Sequence, residues 1–280
     1  MGSTLVVWNH SGHNLAVLEK AAGLLTLVDE KATVVTFVND LPEDALQNSS
    51  QMSKLEDEVY KYLGKSKVDE CLFVRGNKAE WILKYCENND VDLVLKPWDR
   101  NHSSFFTHTD WELIRHLNTD LLLAKTNKWK GYKRILAATH VKPGSEKYDE
   151  LNRLVLLKAN YLDSDPSTEL HVVSCIPMNR AVLDFDIIEQ IEVEQKHSDE
   201  YRHEFQKYLE ESTVHVDKLH IKAGITENVI SQVVADESID LTVMGSRGKK
   251  GLGKLYLGNT AERILKNIRS DVLIIRKPRD

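Results

Sequence analysis

The chain has 280 residues, of which 41% are hydrophobic and 29% charged, with a formal net charge of −6. That length suits two ordinary domains better than one core, and the apolar share excludes a disordered chain. The acidic balance argues against nucleic-acid binding, no apolar run reaches the length of a membrane span, and the N-terminus lacks a secretory pattern, so the cytoplasm is the expected compartment.

In chain order, the first half opens on a strand at Leu5–Asn9. It continues through a helical stretch after Gly76, a strand at Val91–Lys96, a helix reaching Ile114 and a closing strand at Leu121–Lys125. The polar segment Asn127–Lys133 follows, and the boundary is expected near Lys128–Gly131, separating domains 1–128 and 132–280. In the second half strands are predicted at Arg134–Thr139, Leu170–Cys175, Val216–Lys222, Leu241–Met244 and Val272–Arg276, all short and β-branched or Leu-rich. Helices at Thr226–Ala235 and Thr260–Lys266 show apolar residues at i, i+3 and i+4. The run Asp184–Glu211 reads as an amphipathic helix whose charges form a solvated face.

These elements repeat. Gly76, Ile82 and Asp92 fall on Gly224, Ile230 and Asp240 at an offset of 148 residues, and the segment Ile114–Lys125 falls on Leu265–Arg276 at an offset of 151. The loop between them is therefore three residues shorter in the first copy. Each copy reads as strand, helix, strand, long helical insert, strand, helix, strand, helix, strand. The alternation predicts a doubly wound parallel α/β sheet, with its βα loops at the carboxyl ends of the strands, where such sheets bind ligands.

One loop of the second copy suits phosphate. After Met244 come Gly245, Gly248 and Gly258 at fixed spacing, with Arg247, Lys249, Lys250 and Lys254 among them. Glycines allow tight turns and close backbone approach, and Asn259 and Thr260 open a helix whose N-terminal N–H groups favour an anion. A solvated connector is the competing reading. The Walker-like run from Gly248 fails, because Leu255 stands where a hydroxyl must reach magnesium.

Gly245-x2-Gly248-x9-Gly258, lying between a strand and a helix and followed by the strand from Asp271, resembles the universal stress protein family. The two copies resemble its tandem-domain E type, with Gly258–Glu262 in the second copy and a degenerate Thr109–Trp111 in the first. The resemblance implies two doubly wound domains and, by analogy with nucleotide-binding members, a site for ATP or AMP in the C-terminal domain, with Mg beside ATP. Carried over by position, Ala138, His140 and Cys175 line the adenosine, Met244 and Gly245 close the far side, and Arg247, Gly248, Gly258, Asn259 and Thr260 line the phosphates. His140 departs from the Asp often found there, and Asn259 from a Ser or Thr. The family's habit of pairing last strands across a dimer implies an internal pseudo-twofold contact between the two copies and leaves room for a further homodimer.

In the first copy Pro97, Arg100 and Thr107 replace the three glycines, which makes that domain degenerate. Lys96 and Arg100 remain able to meet an anion, and Phe105, Phe106 and Trp111 to cover apolar surface. His102, His108 and His116 near Asp99 and Asp110 lack paired metal-ligand spacing, so no metal is assigned. Cys71, Cys86 and Cys175 read as small core residues in a reducing compartment. No nucleophile–base pair is legible, so no catalytic residue is named. The expectation is a stress-related regulatory protein that binds an adenine nucleotide with little or no turnover. A scaffold or carrier of another small ligand, an amphiphile among them, is the second reading, and a slow ATPase the third.

Overall fold

The computed structural model describes residues 3–9, 15–28, 30–39, 49–98, 107–125, 131–146, 149–163, 165–178, 187–246 and 259–276. The chain divides into two compact units, Met1–Gly131 and Tyr132–Asp280. Unit 1 runs β1 (Ser3–Trp8), α1 (Leu15–Val28), β2 (Ala32–Phe37), α2 (Ser49–Leu63), β3 (Val68–Val74), α3 (Lys78–Asn88), β4 (Val91–Pro97), α4 (His108–His116) and β5 (Asp120–Ala124). Unit 2 runs β6 (Arg134–Thr139), α5 (Asp149–Leu162), β7 (Glu169–Pro177), α6 (Ile187–Glu211), β8 (Lys218–Gly224), α7 (Thr226–Asp236), β9 (Leu241–Ser246), α8 (Asn259–Asn267) and β10 (Asp271–Arg276).

The repeat is accurate to the residue over several elements. An offset of 131 carries β1 onto β6, one of 148 carries α3 onto α7, and one of 151 carries α4 onto α8. Gly76 and Gly224 share a function as well as a position. Both hold a positive φ, +126° and +146°, which L side chains rarely adopt. At Gly224 a Cβ would also meet Val229 Cγ2 at 3.1 Å and Gln190 Nε2 at 3.2 Å.

The sheet order is β3-β2-β1-β4-β5 in unit 1 and β8-β7-β6-β9-β10 in unit 2, all parallel within each unit. Right-handed crossovers therefore place the first two helices of a unit on one face and the last two on the other. The chain reverses direction between β1 and β4 in unit 1, and between β6 and β9 in unit 2. Covered on both faces, the inner strands carry near-continuous apolar runs, as in β2 (Ala32–Phe37), every residue of which is buried. The outermost β3 and β8 carry exposed residues among the buried ones.

The long helix α6 shows how an edge is protected. Tyr201, Phe205 and Tyr208, spaced four and three residues apart, turn one stripe into the core. Burying a ring such as Phe205 contributes about 1.5–3 kcal/mol. Near its start, Gln190 Nε2 donates to Ala223 O (2.5 Å) and Glu194 accepts from Ala223 N–H (3.2 Å), while Glu194 also ion-pairs with Lys222 (3.0 Å). The N–H and carbonyl of Ala223 on the edge strand are thus both met by side chains of its own crossover helix. Several predicted element ends move by one or two residues. The strand expected at Val216–Lys222 lies two residues later, because Asp217 turns back to receive the Leu170 N–H (2.8 Å). The strand expected to stop at Met244 runs on through Ser246, paired with β10 as far as Arg276.

Candidate functional site

The reversal point of unit 2 lies where β6 and β9 pair side by side, with Ala138 opposite Met244. In an open parallel sheet the helices leave on opposite faces here, which opens a crevice at the carboxyl ends of the strands. Ala138 and Gly245 are half-buried and Met244 is buried at the floor. Cys175 lies one strand over, near the carboxyl end of β7. The opening residues of α8 return from the same edge, since α8 carries the chain from the end of β9 back to the start of β10. Topology thus brings Ala138, His140, Cys175, Met244 and Gly245 to the edge at which Asn259 and Thr260 begin α8. Arg247, Gly248 and Gly258 lie outside the described residues, as do Lys249, Lys250 and Lys254.

His140 is held by its backbone. The buried Asn152 of α5 accepts its N–H (2.9 Å) and donates to its carbonyl (3.0 Å), so the backbone of this exposed residue is clamped at the edge. Cys175 Sγ lies 3.4 Å from the Gly224 carbonyl, which it meets as a donor, and burial pushes its thiol up to about 11. It is therefore neutral at physiological pH and inert as a nucleophile. The buried Glu227 of α7 meets Arg263 of α8 at 3.4 Å, tying together two helices that both start at this edge.

Gly245 differs from the reading of a glycine that turns the loop. It lies inside β9, paired with Ile275, and its φ is not positive. What demands a glycine is Leu151 in the first turn of α5. A Cβ would meet Leu151 Cγ at 2.5 Å and its two methyls at 2.7 and 2.8 Å. The helix rests directly on the strand backbone at the crevice. Asn259, expected to cap α8, is instead its first helical residue. Sequence reasoning passed over Leu151, Asn152 and Glu227. Asn152 did carry a signal: it is an amide within the apolar stripe of α5 (Leu151, Val155, Leu156, Ala159), where a polar group needs a partner.

The equivalent place in unit 1 is built differently. Lys96, expected to meet an anion, lies 2.8 Å from Asp110 Oδ1 with both side chains essentially buried (1% and 0% exposed). Its ammonium also donates to the Pro97 carbonyl (2.9 Å). Asp110 Oδ2 accepts from the N–H (3.0 Å) and hydroxyl (2.8 Å) of Thr107, which caps α4 in return. Trp8 and Trp98 are buried, and Lys125 lies 3.7 Å from the Trp98 ring centroid. His108 and His116 both pair with Glu112 along α4 (3.9 and 3.3 Å), and Asp99, Arg100, His102, Phe105 and Phe106 lie outside the described residues. Among the described residues no three His, Cys, Asp or Glu side chains come together to hold a metal. Cys71 and Cys86 are half-buried rather than core residues.

A sequence model of the universal stress protein family matches residues 131–276, more than half of the chain and nearly all of unit 2. The chain belongs to the universal stress protein family. That family has a role in the response to stress. Universal stress protein E homolog of Haemophilus influenzae is 27% identical over 97% of this chain and 96% of its own length. Universal stress protein E of Escherichia coli K12 is 24% identical over 92% of this chain and 84% of its own. Among solved structures, a putative universal stress protein from Pseudomonas aeruginosa superposes with a TM-score of 0.72 at 23% identity, covering 99% of this chain and 93% of that one. At that identity the likeness establishes the universal stress protein fold, and the chemistry must come from this chain's own residues.

Proposed function

We propose that unit 2 binds an adenine nucleotide, ATP or AMP, and that the protein acts as a stress-related nucleotide sensor with little or no catalysis. The observation that carries this reading is the crevice at the β6/β9 reversal. The segment joining β9, which ends at this edge, to α8, which begins there, carries Arg247, Lys249, Lys250 and Lys254 in sequence. The base and ribose would lie against Ala138, the His140 imidazole, Cys175 and Met244. The phosphates would meet Arg247, Gly248, Gly258, Asn259 and Thr260, where the unpaired N–H groups of a helix N-terminus add positive potential. Mg, if ATP is the ligand, would be held chiefly by the phosphates, since no carboxylate in the proposed set competes for it.

Binding without turnover follows from the chemistry of the set. Its one imidazole, that of His140, would lie at the adenosine end, away from the γ-phosphate. Isothermal titration of ATP, AMP and GTP into protein shown by mass spectrometry to be ligand-free tests the reading. Saturable ATP binding that weakens at least tenfold in Arg247→Ala, with GTP binding weaker, supports it. No ATP binding, or hydrolysis at about 1 per second or faster, overturns it. Gly245→Val is unsuitable as the binding-defective control, because its side chain would collide with Leu151.

A further inference from the structure

Unit 1 holds at the start of α4 what unit 2 lacks at the start of α8. The two helices align residue for residue, which sets Thr107 on Gly258, Asp110 on Ala261 and, by the strand-side offset, Lys96 on Met244. Ala261 has no group that reaches back to the helix start. Asp110 has one, and its carboxylate receives the Thr107 N–H and hydroxyl on one oxygen and the Lys96 ammonium on the other. The arrangement has the parts of an oxyanion site at a helix start: the N–H and hydroxyl of the capping residue, a cation and a bound anion. The anion belongs to the chain, and it is completely buried.

We propose that unit 1 is a self-occupied copy of the site, in which the Asp110 carboxylate takes at the N-terminus of α4 the place that a ligand's phosphate takes at the N-terminus of α8. The comparison with unit 2 rests on the nucleotide reading above; the self-occupation rests only on unit 1. Charge explains why Lys96 and Asp110 go together. A lysine buried on a strand requires an anion, and a carboxylate buried at a helix start requires donors, so each change from the unit 2 residues is costly alone and tolerable with the other. Self-occupation also does what an empty degenerate pocket cannot: it neutralises the helix terminus without a ligand, so that unit 1 stays folded whether or not nucleotide is present. The chain then has one nucleotide site, not two.

The test uses the full chain and reads unit 1 through tryptophan emission, since all five tryptophans precede residue 132. Asp110→Ala should lower the urea midpoint of this signal. Sodium formate should then restore at least half of the loss saturably, compared with chloride at equal ionic strength. Lys96→Met/Asp110→Ala, which installs the residues of unit 2, should lose less than Asp110→Ala and show no formate effect. Asp110→Asn, close in shape, provides the same comparison if Asp110→Ala does not fold: it should be destabilised, and adding Lys96→Met should recover stability. Wild-type chain should take up one ATP. Two ATP per chain, or single and double variants with equal midpoints and no response to formate, overturn the proposal. Formate rescue with no ATP binding at all would uphold the self-occupation and count against the nucleotide reading of unit 2 alone.

Discussion

Acidification is predicted to remove stability from unit 2 through the buried His220, which packs against a second buried histidine. His171 on β7 is 2% exposed and His220 on the neighbouring β8 is 8% exposed. His171 Nδ1 lies 3.2 Å from His220 Nε2, the rings stack with centroids 5.3 Å apart, and His171 Nε2 lies 3.4 Å from Glu169. One proton serves the contact between the rings. A second would make one ring a cation and set two N–H donors against each other. Burial first, then His171, pushes His220 down to about 4; Lys218 and Lys222 act in the same direction and Glu237 against it. The folded pKa thus lies below the unfolded one, so the native state is favoured while both forms are neutral. Stability is complete above the unfolded value and is lost as pH falls from there toward the folded value. From 6.5 unfolded to about 4 folded, the linkage relation gives a loss of about 2 kcal/mol at pH 5 and about 3 kcal/mol at pH 4. Against a domain stability of about 5–15 kcal/mol this is a large share.

Urea unfolding at pH 7, 6 and 5 measures it. Far-ultraviolet circular dichroism reports both units, while tryptophan emission comes from residues of unit 1. The dichroism transition should move to lower urea by pH 5, while His220→Gln should remove most of that shift. The exposed carboxylates whose pKa values are lowered, Asp165 by Ser167 and Lys133, Glu169 by Arg134 and Glu237 by Lys218, lose their contributions only below about pH 4.5, outside this window. An unchanged transition between pH 7 and 5, or an identical shift in His220→Gln, would refute the reasoning.

Gly245→Ala should destabilise unit 2 by about 1–3 kcal/mol, because its new methyl must displace Leu151 or the α5 helix. Adding Leu151→Ala should recover part of that loss, a non-additivity readable in the same urea experiment. The thiols of Cys71, Cys86 and Cys175 are pushed up to about 11, 12 and 11, chiefly by burial. Iodoacetamide at pH 7.5 should therefore label native protein on the order of 100-fold more slowly than a free thiol, and label all three sites once urea is added. Rapid labelling of the native chain at any one of them would contradict the assignment.

Much of this architecture is written locally. Apolar β-branched runs bounded by polar turns encode the strands, and i, i+3, i+4 spacing encodes α7 and α8. The repeated Gly76 and Gly224 mark backbone positions that only glycine occupies comfortably. Each of these signals is confined to a few neighbouring residues or recurs at a fixed offset, so it survives in one dimension. Ala138, His140, Cys175 and Met244 are named by position from the family resemblance, while the sheet topology explains why they share an edge: right-handed crossovers put every βα loop of a parallel sheet on one side.

Other features depended on groups far apart in the chain. Gly245 reads as a loop glycine, yet its need for glycine comes from Leu151, 94 positions earlier. Lys96 reads as a cation awaiting an anion, and the fold supplies Asp110 from the next helix. His171 and His220 lie 49 residues apart and show no pattern in sequence, but neighbouring parallel strands bring their rings together. Hydrophobic periodicity and turn chemistry are local, so the elements, their repetition and the edge that carries the βα loops can be read along the chain. Which buried charges and rings become partners is settled by packing, because a close approach between distant residues leaves no periodicity to read.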